Sequence, residues 1–395
     1  MKVIMLYLRM SKLFSKLNIR GITFPNRIVL SPLCMYSSKD GIPNDWHFSH
    51  LSTFARAKIG LIFAEATAIQ RKGRITPYCL GLWNKKQADS LRPIVKFIKE
   101  MGSVAGFQLA HAGRKAGTKE PWQGGGPLDD EDIKIGNKPW KTIAPSAIPL
   151  APGWVIPKAM DKSDIKKLIN SYVFSAKLAL DVGFEVLELH AAHGYLLHSF
   201  LSPLSNKRND SYGGDLLGRT RLIVDIIEAL RNEISKDVPL FCRISAVDGI
   251  KNGLSLEDSV EISKILSQIG VDVIDCSSGG LMGRPRFVAH DNGELMKTNI
   301  DRGLGFQVPY AHEIKKTSNI KTMAVGVIVD PHQAEEILID KKADLIAMGR
   351  ELMYNPFWSL HAAQELKVDP KFSLWPKQYR WGINRRAEIK KFKIK

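Results

Sequence analysis

The richest cluster of reactive side chains in this sequence is His190-Ala191-Ala192-His193-Gly194-Tyr195. Two neighbouring imidazoles can together grip a carbonyl or phenolate oxygen, and a tyrosine hydroxyl beside them can deliver a proton. Zinc is a rival ligand, because histidine is the commonest protein partner of metals. A catalytic zinc needs at least a third protein ligand and an open position. No carboxylate or histidine of obvious spacing accompanies the pair, and purely structural histidines are the third reading. A second cluster is formed by two glycine-bearing segments, Ala324-Val325-Gly326 and Ala347-Met348-Gly349-Arg350. Glycine lets backbone N–H groups approach a phosphate closely, and Arg350 adds a cation capable of bidentate contact. Without that arginine, glycines at ordinary turns would account for both segments. Arg243 lies in the apolar run Leu240–Ser245 and is costly to bury alone. It needs a negative partner, either the edge of an anionic ligand or a carboxylate of the chain. Cys34 follows Ser31-Pro32, and a free cysteine is by default a small buried hydrophobe. Cys242 and Cys276, inside apolar runs, keep that default. Asn44-Asp45-Trp46 reads as a helix cap rather than a site.

The frame for these residues is a series of short apolar, β-branched-rich runs. They are Ile28–Ser31, Leu61–Ala64, Ser103–Leu109, Glu185–His190, Leu240–Ser245, Val271–Cys276, Lys321–Gly326 and Asp344–Met348. Between them lie amphipathic stretches such as Leu216–Ile234, Leu256–Ile269 and Pro331–Lys341, each the length of a crossover helix. Eight such strands alternating with helices predict an α/β fold, a closed TIM (β/α)8 barrel. A doubly wound sheet would want G-x-G-x-x-G after its first strand, where Ser31-Pro32-Leu33-Cys34 stands instead. Residues 111–160 are rich in Gly, Pro, Trp and Asp and show no sustained period. A long insertion after the third strand lies on the barrel's C-terminal face, where it can form a rim or lid. Barrel active sites are assembled from strand C-terminal ends. The candidates are therefore Ser31 to Tyr36, Glu65 to Thr67, Gln108 and His111, His190 to Tyr195, Arg243, Ser277 to Gly280, Gly326, and Gly349-Arg350. The set is polar, mixed in charge and rich in glycine, as a site for a large ligand should be.

Composition bounds the rest. With 395 residues, 44% hydrophobic and 25% charged, the chain reads as a globular protein of one barrel spanning 13–370. Four cysteines without CxxC pairing argue against iron–sulfur clusters and a disulfide scaffold, and fit a cytoplasmic setting. The formal charge of +17 is spread along the chain, concentrating only in a basic tail, 371–395. No basic stretch is interleaved with aromatics, so the expectation is no nucleic-acid partner. The apolar run Val3–Leu8 is too short to span a membrane. Residues 1–12 read as an extension, with Met10 as an alternative start.

Several segments together resemble the old yellow enzyme family of NADH:flavin oxidoreductases. They are Ser31-Pro32-Leu33-Cys34-Met35-Tyr36, Glu65-Ala66-Thr67, Gln108-Leu109-Ala110-His111-Ala112-Gly113-Arg114, His190 to Tyr195, Ser205-Asn206-Lys207-Arg208-Asn209-Asp210-Ser211-Tyr212-Gly213-Gly214 and Met348-Gly349-Arg350. The likeness runs in order from about residue 13 to 381. More narrowly, the chain is similar to bacterial ene-reductases that carry a cysteine after the first strand, such as xenobiotic reductases. The resemblance implies an FMN-containing barrel, an NADPH dehydrogenase that reduces the C=C bond of α,β-unsaturated carbonyls with NADPH or NADH. The transfer would be ping-pong, with hydride passing through flavin N5. By the same resemblance, His190 and His193 hold the substrate oxygen, Tyr195 protonates the α-carbon, and Tyr36 reaches the substrate. Cys34 lies near the isoalloxazine, beside Ser31 and Pro32. The Ala66 backbone and Gln108 bond its pyrimidine edge, Arg243 meets N1, and Gly326, Gly349 and Arg350 bind its phosphate. No metal is implied, and a homo-oligomer is. Leu33 stands where this subclass usually has methionine. Gln378-Tyr379-Arg380-Trp381 resembles the tail that inserts an arginine or tryptophan into a neighbouring subunit's site, with altered spacing. The rivals are a flavin barrel with an added iron–sulfur and dinucleotide domain, for which no cysteine cluster is present, and a flavin-free aldolase or metal-dependent hydrolase.

Overall fold

A computed structural model describes residues 11–282 and 300–389. The chain opens with an antiparallel hairpin, β1 (Leu17–Ile19) and β2 (Ile22–Phe24), which the sequence patterning did not suggest. Eight strands then form the barrel: β3 (Ile28–Leu30), β4 (Leu61–Ala68), β5 (Val104–Ala110), β8 (Val186–Ala191), β9 (Leu240–Ser245), β10 (Val273–Ser277), β11 (Lys321–Ala324) and β12 (Leu345–Met348). They close in that order, each parallel to the next, with β12 pairing back onto β3. All eight match the runs expected from patterning. β4 is the longest, because a register shift between Phe63 and Ala66 carries it on to Ala68.

Alternation along the strands explains how the barrel is filled. Inward positions near the strand starts carry Val29, Leu61, Phe63, Val104, Val186, Phe241, Val273, Met323 and Leu345, and these form one buried cluster. Phe24 of the hairpin packs on Phe241 at 6.3 Å between ring centroids, so β1 and β2 plug the lower opening. Further along four of the strands the same inward face turns polar. Gly106 gives way to Gln108, Val186 to Glu188 and then His190, Phe241 to Arg243, and Val273 to Asp275 and Ser277. The outward strand residues pack against the helices in a second and larger apolar cluster.

The crossover helices start and stop where their caps dictate. Leu216–Glu233 begins at Asp215, whose side chain accepts from the Gly218 N–H, and Leu256–Gln268 begins with a Ser255–Asp258 capping box. Pro331–Ile339 begins at Asp330. Asn44 caps the helix Asp45–Arg56, accepting from the Trp46 N–H, as its sequence context predicts.

The segment 111–160 holds more structure than its lack of period suggests. It contains 3-10 turns at Gly113–Lys115 and Pro121–Gln123, a short helix Asp130–Lys134, and the strand pair β6 (Ile143–Ala144) and β7 (Lys158–Ala159). Polar ties fix it to the barrel. The Arg114 guanidinium donates to the carbonyls of Pro149 and Leu281, each at 3.2 Å. Arg208 donates to the carbonyls of Pro145 at 2.9 Å and Met160 at 2.6 Å, while forking onto Asp210. The motif Ser205 to Gly214 is therefore a brace for the insertion.

Candidate active site

A cavity of about 1150 Å³ opens at the C-terminal ends of the strands. That exceeds what one small ligand usually fills, leaving room for a cofactor and a substrate together. Its walls bring together residues from most of the strand ends that patterning singled out. Ser31, Pro32 and Tyr36 come from the turn after β3, His193 and Tyr195 from the turn after β8, and Arg243 from β9. Gly326, Gly349 and Arg350 line the far side. Gln108, 1% exposed, lies on β5 beside Ala66 in strand register. Ala66 and His190 line a small adjoining hollow with Tyr195. Cys34 is half-buried in the same turn as Tyr36, and burial together with nearby Glu65 holds its thiol protonated, well above the usual range.

The turn after β8 is held in an unusual backbone conformation. His193 has φ +61° and Gly194 has φ +73°, and a Cβ on Gly194 would stand 2.6 Å from the Gly280 carbonyl oxygen. A left-handed non-glycine residue costs about 1–2 kcal/mol, so neighbours must over-determine it. The His193 N–H donates to Ser245 Oγ at 2.9 Å, and the Gly194 N–H donates to His198 Nδ1 at 2.7 Å. Lys115 Nζ donates to the His193 carbonyl at 2.6 Å and to that of Gly280. His198 in turn faces Asp248, with Nε2 to Oδ1 at 3.0 Å and both side chains fully buried. Because Nδ1 accepts, Nε2 carries the proton toward Asp248. Sequence reading missed Lys115, His198 and Asp248. Their signal was the phase of the short buried helix Leu196–Leu201 and the strand-end position after β9.

This support places the reactive rings together. The ring centroids of His190 and His193 lie 5.2 Å apart, nearly perpendicular, and Tyr195 stands 4.9 Å from His190. Burial, reinforced by the Arg243 cation, holds both imidazoles well below the usual histidine range, so they are neutral at physiological pH. Each thus has one N–H to offer an oxygen acceptor and no charge to lose. His190 Nδ1 has no hydrogen-bond partner among the described residues, while His193 Nε2 meets Ser277 Oγ at 2.6 Å. No group of three or more histidine, cysteine, aspartate or glutamate side chains suited to a metal occurs among the described residues.

Of the two partners expected for Arg243, the structure shows the carboxylate. Its Nη1 stands 3.2 Å from Asp275 Oδ2, and the guanidinium also borders the cavity. Gly326 has φ +122°, and a Cβ there would stand 2.9 Å from Phe306 and Gln307. Only glycine lets the backbone take that path. Tyr36 has φ +47° and meets the exposed Trp122 of the insertion edge-on at 5.9 Å. Thr118, Pro121, Leu150 and Trp154 complete that wall, so the insertion contributes a side of the cavity. Arg380 and Trp381 lie exposed on the helix Lys377–Ile389, away from the cavity walls.

Comparison with known proteins identifies the family and the fold. Residues 12–369 match the model of the NADH:flavin oxidoreductase / NADH oxidase family. A NADPH dehydrogenase of Listeria innocua serovar 6a is 41% identical over 374 residues, covering 94% of this chain and 98% of the relative. Among solved structures, morphinone reductase superposes with a TM-score of 0.70 at 20% identity, covering 92% of this chain and 91% of the other. A 2-naphthoyl-CoA reductase superposes with a TM-score of 0.78 at 21% identity, and this chain spans 52% of its length. At such identities the structural likeness is one of fold.

Proposed function

Because the chain belongs to the NADH:flavin oxidoreductase / NADH oxidase family, the old yellow enzymes, we propose that this FMN-dependent NAD(P)H oxidoreductase is an ene-reductase acting on α,β-unsaturated carbonyl compounds. The observation that carries the reading is a pair of neutral, buried imidazoles beside a tyrosine hydroxyl, with His193 and Tyr195 on the wall of a cavity larger than a single small substrate needs.

The residues present fit a flavin mononucleotide. Arg243 offers a cation to the ring edge that becomes electron-rich, and its Nε has no partner among the described residues. Gly326 and Gly349 line the cavity beside Arg350 with no side chain of their own to keep a phosphate from the backbone. Gln108 and the Ala66 backbone would hold the pyrimidine edge, with Ser31, Pro32 and Cys34 along the ring. Bound FMN supplies the redox chemistry, accepting hydride from a nicotinamide and delivering it to an activated alkene.

The protein's part is binding, polarisation and proton delivery. His190 and His193 hold the carbonyl oxygen through two N–H groups, and that oxygen gains charge as the β-carbon is reduced. Donors fixed in advance at such a point give more to the transition state than to the ground state. Tyr195 holds the proton destined for the α-carbon, and Tyr36 closes the substrate side. Nicotinamide and alkene would take turns on the same face of the cavity, which makes the cycle ping-pong.

The test is spectroscopic and kinetic. The purified protein should carry a flavin spectrum, be bleached anaerobically by NADPH or NADH, and recover its colour when a cyclic enone is added. A flavin-free protein, or a reduced one that only dioxygen can reoxidise, would contradict the reading.

A further inference from the structure

Beside the proposed ring-contacting residues Gln108 and Arg243, β8 and β10 carry two buried carboxyls, Glu188 and Asp275, that the reaction does not use directly. Gln108 and Glu188 are lateral partners, and the Gln108 Nε2–H donates to Glu188 Oε1 at 2.8 Å. One strand further, Arg243 lies level with Asp275 across the β9–β10 ladder, with Nη1 to Oδ2 at 3.2 Å. Glu188 and Asp275 are both 0% exposed. Glu188 Oε2 and both Asp275 oxygens have no well-formed hydrogen bond among the described residues.

The charges here do not balance if every group is ionised. Two carboxylates and one guanidinium would leave a net negative charge inside the barrel, with carboxylate oxygens unsatisfied. Burying an unpaired charge costs several kcal/mol, and a group normally neutralises instead. Burial and repulsion from Asp275 push Glu188 well above the usual carboxylate range, while Arg243 pulls it back only in part. Burial raises Asp275 as well, against the pull of Arg243. Asp275 touches the cation and Glu188 lies within its field, and two carboxyls that feel one cation and each other behave as a coupled set.

We propose that Glu188 and Asp275 hold one proton between them and act together as a single counter-ion for Arg243, fixing the charge beside the flavin ring at zero. They are positioning residues. This rests on the reading that FMN lies against Arg243. Either carboxyl can serve as the counter-ion when the other is lost, so the pair is redundant by design of the charge balance. Asp275 has the direct contact with the guanidinium, which leaves the proton mainly on Glu188.

The experiment is a double-mutant cycle on the midpoint potential of bound FMN. Glu188→Gln keeps the shape and the contact with Gln108, and removes only the proton-bearing oxygen, so the potential should not move. In Asp275→Asn the remaining carboxyl ionises, and the potential should again move little. The double variant leaves Arg243 uncompensated, stabilises added electrons on the ring, and should shift the potential sharply upward. Comparable, additive upward shifts in the two single variants would overturn the proposal. Infrared spectroscopy gives an independent readout that does not need the double variant to fold. The wild-type protein should show the C=O stretch of a buried protonated carboxyl, and each single variant should lose it. A wild type without that band, or a single variant that retains it, also overturns the proposal. Failure to bind FMN at all would count against the function proposed above, while the infrared result would still decide the shared proton.

Discussion

Tyr195 and the two histidines can be separated by which half of the reaction each touches. The Tyr195 hydroxyl donates a proton only when the alkene is reduced, so Tyr195→Phe should leave flavin reduction by NADPH at its wild-type rate. Reduction of an enone should slow by about 10²–10⁴, the usual contribution of a positioned general acid. Rapid-mixing measurement of the two half-reactions decides it, and equal slowing of both would refute the role. His190 and His193 should act together on oxygen ligands, because their rings lie 5.2 Å apart and both are neutral. Replacing both with alanine should abolish the long-wavelength charge-transfer band that a bound phenol gives with the flavin. Persistence of that band at unchanged affinity would show that the phenol sits elsewhere. A third residue-level test concerns the backbone. Gly194→Ala adds about 1–2 kcal/mol of left-handed strain and pushes a methyl against the Gly280 carbonyl, which Lys115 also contacts. Both urea stability and phenol affinity should fall, and a fall in stability alone would detach the turn from ligand binding.

At the scale of elements, legibility in the sequence followed periodicity. The barrel strands were visible because each is a mainly apolar run buried on both faces, Lys321 excepted, and such runs stand out against helices of longer period. The hairpin β1–β2 was invisible because its strands have three residues each, too few to show a period. The insertion looked structureless for the reason its order is hard to see. It is held by guanidinium-to-carbonyl bonds between distant segments, which leave no periodic trace. The candidate site was legible wherever it sat at a strand end. Its supports were not, because Lys115 and His198 act through backbone groups of the β8 turn, and Glu188 and Asp275 lie within strands that read as ordinary runs. Strand parity was the unused signal: once Phe241 faces inward, Arg243 must too, and its neighbours on that layer follow. The brace makes a prediction of its own. Arg208→Ala removes the bonds to Pro145 and Met160 and should lower the local opening free energy of the insertion by about 2 kcal/mol. Hydrogen exchange should speed up in 143–160 and remain unchanged in the barrel strands. Uniform acceleration across the protein would mean that the motif stabilises the whole fold instead.

The whole molecule carries an unusual load of neutral histidines, and this shapes its response to acid. Burial lowers His50 to about 4 and His111 to about 3 from an ordinary value of 6.5. Burial also holds His190 and His193 well below the same value. In each case the unfolded chain binds a proton near pH 6.5 that the folded protein refuses. Stability is therefore intact above that value, falls as pH drops through it, and keeps falling until the folded groups themselves titrate. The proton proposed for the Glu188–Asp275 pair works in the opposite direction, because there the folded state binds the extra proton. Paired surface carboxylates such as Asp161 and Asp210 titrate below the ordinary carboxylate range, outside the window between about pH 5 and 6. The four histidines less the one carboxyl proton give these groups an uptake on unfolding in that window of about three protons, or about 4 kcal/mol of stability lost per pH unit. Urea midpoints measured across it should fall steeply. His50 touches Phe54 at the edge of the barrel, remote from the cavity walls, so His50→Gln is the clean single-site test. It should reduce the slope by about one proton, about 1.4 kcal/mol per pH unit, without altering flavin content. An unchanged slope would mean that His50 is protonated in the folded protein, against what its burial requires.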